Sequence, residues 1–328
     1  MTTGIDLDPS GALGRLRRHH PDLIARIDPD RARAWYASLR DTERLAGDDF
    51  GEMPQGGRGE SYLRAQAQIL MARSTGIATL LDHLTAGAEP GTKVVLDVLG
   101  GDGLVRRVAT ALGRTDLNIL TCDVSPYMVQ AAWDAGMPAL LQRADRLLAR
   151  DDSVDGVLIA YGAHHIDPED RVNVVRDAYR VLRPGGTLVL HDFLVGSAMD
   201  TWFSEFVDPN SLTGHRFAHF TREEILGYLA KAGFESYEVA DMPDPYVAVA
   251  DTADAAELSL GRYLLDMYGL VSIAHAFGDQ ADRVVIERAR RIFQEPMTPG
   301  LRVQPQPDGQ WRCTVPRTAV IGIGRKLR

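Results

Sequence analysis

From Lys93 onward, short apolar runs alternate with amphipathic stretches. KVVLDVLGG (93–101) is a nearly continuous apolar run, the pattern of a strand buried on both faces. A helix is predicted over 104–112, then a strand at NILTCDV, a helix over 126–135 and a strand at ALLQRA. VDGVLIAYGA gives a fourth strand, 168–182 a helix and GTLVLHDF a fifth strand. This β-α alternation predicts a parallel sheet wound with helices on both faces, an α/β architecture.

The flanking segments read differently. Residues 1–60 have helical spacing, with one helix over Arg31–Arg44 and Pro21 and Pro29 punctuating the approach to it. DDFGEMPQGGRGES is glycine-rich and reads as a flexible hinge or loop. The spacing of Leu63, Leu70, Ile77 and Leu81 predicts one long helix over 61–84. Toward the end, Thr221 and Glu224 form a capping-box pattern for a helix over 222–232, which Gly233 stops. ESYEVAD reads as a strand, 252–295 as helical and RTAVIGIGRK as a last strand. Four segments follow: an N-terminal helical cap (1–86), a core (87–250), a helical insertion for capping or dimerisation (251–300) and the last core strand (301–328).

Charge narrows the partners. With 36 basic and 45 acidic residues the net charge is −9, which disfavours nucleic acid and anionic membrane. The strongest basic cluster is Arg15-Leu16-Arg17-Arg18. Cys122 and Cys313 cannot make a disulfide framework or a four-cysteine zinc site. No apolar run has the length of a membrane span, and the first residues have no signal-peptide core, so the expected location is cytoplasmic.

The chemistry concentrates after the first strand, at Asp97-Val98-Leu99-Gly100-Gly101-Asp102-Gly103. Glycines at a strand-to-helix turn let a ligand approach the backbone closely. Asp123 closes the second strand about 20 residues on, the spacing of a ribose-binding acid. Asp97 and Asp102 would repel a pyrophosphate, whereas a cationic or amino-bearing ligand suits them. Charge therefore favours S-adenosylmethionine, with its sulfonium and ammonium, over a nicotinamide dinucleotide.

This block resembles the glycine motif of class I S-adenosylmethionine-dependent methyltransferases, with Leu99 where the first glycine usually stands. DVSPYMVQAA (123–132) and VLRPGGTLVLHD (181–192) resemble two further blocks of that family, and 63–194 carries most of the likeness. The resemblance implies a seven-stranded Rossmann-like sheet. It also implies Asp123 on the ribose, Val124 beside the adenine, and Ala144 and Asp145 at the adenine edge. Tyr161 and Gly162 should lie near the methionyl end, with Tyr62 or Arg64 reaching its carboxylate.

Methyl transfer to oxygen gains from a base, and histidine is the natural one near neutral pH. His164 and His165 follow the fourth strand, at the sheet edge where open α/β folds bind ligands. His164 reads either as base or as a residue shaping the substrate. His191-Asp192 ends the fifth strand, to orient substrate or cap the next loop. His215 and His219, with His191 or Asp192, have the residue types of a metal site but no defined third ligand, so the expectation is an ordinary loop and no metal. Trp202, Phe203, Phe206, Phe217 and Phe220, with Tyr263, Met267 and Tyr268, read as a flat acceptor's walls or as a lid's own core.

The Asn/Asp-Pro-Pro-Tyr/Phe motif of nucleic-acid and protein amino-group methyltransferases is missing after the fourth strand, where Ala160-Tyr161-Gly162-Ala163 stands. The resulting expectation is a methyltransferase of a small organic acceptor in specialised metabolism, with O-methylation favoured over C- or N-methylation and a homodimer possible. Three alternatives stay open: a same-fold enzyme using S-adenosylmethionine for cyclisation or as a structural ligand, a nicotinamide oxidoreductase, and a non-enzymatic binding protein.

Overall fold

A computed structural model of the chain describes residues 9–41, 48–86, 91–214, 216–294 and 300–327. Among the described residues there are ten strands: β1 (Lys93–Val98), β2 (Leu117–Asp123), β3 (Ala139–Leu141), β4 (Val154–Ala160), β5 (Leu182–Asp192), β6 (Ser236–Pro243), β7 (Tyr246–Ala250), β8 (Arg302–Pro305), β9 (Trp311–Val315) and β10 (Thr318–Arg325). Seven form one sheet in the order β3-β2-β1-β4-β5-β10-β6. The first five run parallel, and β10 inserts antiparallel between β5 and β6. The strand order reverses beside β1, so the connections leaving the carboxyl ends of β1 and β4 run to opposite sides and leave a crevice there.

Both faces of β1 are buried, as its apolar run requires. Val95 joins one core cluster while Val94, Leu96 and Val98 join the other, because successive side chains alternate across a sheet. The N-terminal helices α1 (Pro9–His19), α2 (Pro21–Ile24) and α3 (Pro29–Asp41) cover the second cluster through Leu16, Leu23 and Tyr36. The first cluster takes in α4 (Gly59–Gln68), α5 (Ser74–Thr85) and α6 (Leu104–Ala111). The second is completed by α7 (Pro126–Asp134), α8 (Pro168–Val181) and, after the short α9 (Ala198–Trp202), α10 (Arg222–Ala232). The capping box on α10 forms as its sequence predicts, with Gly233 left-handed at the other end.

Three expectations change. The long helix over 61–84 is broken: α4 ends at Gln68, Ile69 is extended, and a 3₁₀ turn over Leu70–Arg73 leads into α5. An apolar periodicity persists across such a break, so spacing alone does not reveal it. Second, 301–328 is more than one core strand. β8 and β9 form a hairpin over Asp308-Gly309 and join β7 in a separate sheet, β7-β9-β8. Between β7 and β8 lies the expected helical insertion, α11 (Ala253–Met267), α12 (Val271–Phe277) and α13 (Ala281–Ile292).

Third, the glycine-rich segment before α4 is bonded to itself rather than built as a hinge. Gly57 and Gly59 donate to the carbonyls of Glu52 and Gly51, and Arg58 to that of Asp49. A Cβ on Gly57 would stand 2.3 Å from the Gly51 carbonyl oxygen, so glycine serves close backbone packing here. Each sheet contains one free buried thiol, Cys122 in β2 and Cys313 in β9. Among the described residues no helix is long and apolar enough to cross a membrane.

Candidate functional site

The turn after β1 lines part of an open cavity of about 890 Å³, mouth included. Leu99 and Gly101 both take left-handed φ, 64° and 57°, and Gly103 does so as the N-cap of α6. Leu99 thus keeps the conformation a glycine would adopt freely, a strain of about 1–2 kcal/mol for a residue with a Cβ. Gly100 passes so close to Asp97 that a Cβ would lie 2.6 Å from Oδ2. Asp123, at the end of β2, accepts hydrogen bonds from the amides of Gly101 and Ser125, both 2.8 Å.

Three carboxylates gather beneath this turn. Asp102 pairs with Arg107, but Asp97 Oδ2 is buried with no hydrogen-bond partner. Burial, then the neighbouring charges of Asp123 and Asp102, pushes Asp97 up to about 8. Burial also raises Asp123 to about 6, although backbone amides oppose it. A buried floor of acids with an unmet oxygen calls for a cation, and fits the ammonium and sulfonium of S-adenosylmethionine rather than a pyrophosphate.

The same cavity is lined by His164, Tyr62, Tyr161 and three guanidiniums, Arg58, Arg73 and Arg317; Arg73 is near enough to the acids to oppose the rise of Asp97 and Asp102. His164 follows β4, is buried, and its Nδ1 lies 2.9 Å from Asp192 Oδ1 at the end of β5. The His164 amide donates to Asp192 Oδ2 at 2.9 Å. Burial alone would raise the Asp192 carboxyl; the facing His164 and His219 rings outweigh it and hold it well below the usual range. His165 lies 3.9 Å from Asp49, with its ring edge-on to Phe50.

Arg73 Nη2 donates to Tyr62 Oη at 2.9 Å, its Nε has no partner, and it lies 4.7 Å from the Tyr161 ring centre. Arg58 donates to the Met267 carbonyl at 2.6 Å and stacks on Phe50; burial lowers its pKa from the ordinary value. Among the described residues neither guanidinium has an ion-paired carboxylate. Sequence reasoning missed both. The signal for Arg73 was a lone arginine within the apolar spacing of 61–84. Arg317 is committed instead: it bonds Asp244, which also accepts from Tyr161 Oη at 3.1 Å and lies 3.2 Å from His191 Nε2.

The cavity brings together Leu99, Gly101, Asp123, Val124, Tyr161, Gly162, Tyr62, His164 and His165 of the residues picked from sequence. Asp97, Gly100 and Gly103 support its floor without lining it. His191 is corrected: fully buried behind Tyr161 and bonded to Asp244, it does not reach the cavity. Ala144 and Asp145 also lie outside the lining, Asp145 being paired with Arg143. Arg64 does not face the site either, because it pairs with Asp266 near the surface. His215 lies outside the described residues.

Comparison with known proteins agrees with this geometry. Residues 96–190 match the family model described as a methyltransferase domain. An arsenite methyltransferase of Halobacterium salinarum is 29% identical over 55% of this chain and 46% of its own length. A ubiquinone/menaquinone biosynthesis C-methyltransferase of Ectopseudomonas mendocina is 27% identical over 50% of this chain and 73% of its own. The chain thus spans about half the length of the first relative. The structure of Haemonchus contortus phosphoethanolamine N-methyltransferase 2 with S-adenosyl-L-methionine is similar at a TM-score of 0.49, with 17% identity over 77% of this chain and 52% of that one. Residues 96–190 thus carry a methyltransferase domain, and the sheet order and acid-floored glycine turn around it agree with the class I S-adenosylmethionine-dependent type.

Proposed function

We propose that this chain methylates a small organic acceptor that carries negative charge, with an oxygen acceptor favoured and carbon or nitrogen as the alternatives. The observation that carries this reading is one cavity that joins the acid-floored glycine turn to His164 and to Arg58, a buried guanidinium with no ion-paired carboxylate among the described residues. S-adenosylmethionine supplies an electrophilic methyl group when bound. Asp123 holds the ribose, Asp97 receives the ammonium, and Tyr62 with Arg73 takes the carboxylate. Val124 flanks the adenine.

Alignment of acceptor and methyl group gives most of the acceleration in such an in-line displacement. Arg58 offers the acceptor a charged hydrogen-bond donor, and Tyr246, Tyr268 and Phe203 give it a mostly apolar wall. His164 and Asp192 promote loss of the acceptor's proton. Residues 1–86 and 251–300 act as the cap, for the Arg58 bond to the Met267 carbonyl and the Arg64–Asp266 pair tie these two segments together. A small-molecule acceptor suits the acidic net charge, nucleic acid does not, and a role in specialised metabolism goes with the chain's size and helical cap.

Calorimetric titration with S-adenosylmethionine and S-adenosylhomocysteine tests the cofactor assignment. Wild type should bind both in the micromolar range. Asp123→Ala should lose about 1.5–3 kcal/mol, roughly 10- to 100-fold, because charged hydrogen bonds to the ribose go. No binding by folded wild type would reject the reading. With acceptors in hand, His164→Ala should lose turnover while keeping S-adenosylhomocysteine affinity.

A further inference from the structure

His164 and Asp192 belong to a larger cluster. A ring nitrogen of His164, a carboxylate oxygen of Asp192 and a ring nitrogen of His219 all lie within 4.8 Å of one another, and all three residues are buried. They come from three separate places: the turn after β4, the end of β5 and the loop before α10. We propose that His164, Asp192 and His219 bind one divalent first-row transition-metal ion, and that this ion takes an oxygen atom of the acceptor. The acceptor clause rests on the methyltransferase reading above; the metal site does not.

Two histidines and one carboxylate on one side of an ion form the donor set of catalytic zinc and of non-haem ferrous iron, with positions left open for substrate. Ligand atoms about 2.0–2.2 Å from one ion stand roughly 3 Å apart when adjacent. The 2.9 Å between His164 Nδ1 and Asp192 Oδ1 meets that separation, and the His219 nitrogen lies within 4.8 Å of both residues' ligand atoms.

The surroundings are built to hold these donors. Asp200 Oδ1 lies 2.8 Å from His219 Nδ1, which turns the other ring nitrogen of His219 away from Asp200; outer carboxylates of this kind orient metal-binding histidines. The buried Arg171 donates to the carbonyls of Ile166, at 3.0 Å, and Ala218, at 2.9 Å, so one guanidinium ties the His164 segment to the His219 segment. Phe203 packs against both rings, at 5.5 Å from His164 and 5.2 Å from His219.

Position gives the site its use. Of the three ligands His164 lines the cavity, so an acceptor would reach the ion beside the His164 ring. One carboxylate leaves a divalent ion with net positive charge, which together with Arg58 on the same cavity favours an anionic acceptor oxygen. Coordinated oxygen acids lose their protons far more readily, which is how His164 and Asp192 would prepare the acceptor.

The test is metal content of the purified full chain by mass spectrometry, before and after incubation with zinc or, anaerobically, ferrous iron. One equivalent per chain is expected, with visible ligand-field absorption when cobalt(II) is added instead. His219→Ala should lose the metal yet keep wild-type S-adenosylhomocysteine affinity. Asp200→Ala should weaken metal affinity by about 10- to 100-fold. No metal uptake and no cobalt absorption by wild type would overturn the proposal, as would full occupancy in folded His219→Ala. Should wild type fail to bind S-adenosylhomocysteine yet hold metal, the methyltransferase reading falls and the metal site stands.

Discussion

Gly76, early in α5, sits where a Cβ would lie 1.9 Å from Asp244 Oδ1 and 3.0 Å from the Tyr161 hydroxyl. The atoms met are side-chain tips, but Arg317, Tyr161 and His191 all bond the Asp244 carboxylate, so it can move aside only by giving up those bonds. Gly76→Ala should therefore cost about 1–3 kcal/mol, as overpacked interiors do, read as a lower urea midpoint at unchanged slope. Asp97 makes a prediction about protons. Its value of about 8 in the folded chain lies above the ordinary carboxyl value near ~3.9, so the stability it contributes is complete at low pH and is lost as pH rises through about 8. A bound ammonium would pull that value down, so S-adenosylmethionine binding at pH 7 should release a proton. Titrations in buffers of different ionisation enthalpy would detect it, and a heat independent of buffer would count against Asp97 as the ammonium partner. Glycine spacing made the turn legible in sequence. Arg58, Arg73 and Asp244 were not, because burial of a charge depends on distant elements that periodicity does not report.

At the scale of elements, the breaks are as informative as the helices. The 3₁₀ turn at 70–73 sets Arg73 opposite Tyr62, two residues that one continuous helix would hold in a fixed relation along its axis. Strands and α10 were legible because local rules agreed with the final packing: alternating burial, a capping box and a stopping glycine. The β8–β9 hairpin had its turn signal in Asp308-Gly309, but its pairing with β7 spans the whole helical insertion and leaves no local trace. α8 gives a test at this scale. Arg171 bonds the carbonyls of two loops and stacks 4.1 Å from the Phe220 ring centre. Arg171→Met would leave those carbonyls unsatisfied and should cost about 1–3 kcal/mol in chemical denaturation; an unchanged midpoint would show that water takes over its bonds.

Across the whole molecule, the two sheets meet at a buried ion pair. Arg317, between β9 and β10, bonds the Asp244 carboxylate at 2.5 Å and its carbonyl at 2.7 Å, just before β7. The small sheet and its helices are thereby anchored to the main sheet beside Tyr161, so the wall of the cavity and the floor share one support. A pair of this kind adds little net stability over an apolar replacement, yet losing one partner is severe. Here it fixes the position of the Tyr161 ring.

The two buried cysteines turn this architecture into a clock. Cys122 lies in the strand that ends at Asp123, Cys313 in the middle of the small sheet, and burial raises both thiols far above their ordinary range of ionisation. A disulfide reagent can reach either sulfur only when its own sheet opens, so two labelling rates report two separate openings. S-adenosylhomocysteine should slow modification at residue 122 and leave residue 313 nearly unchanged, as peptide mass spectrometry of timed samples would show. Equal slowing at both positions would mean instead that the sheets breathe together.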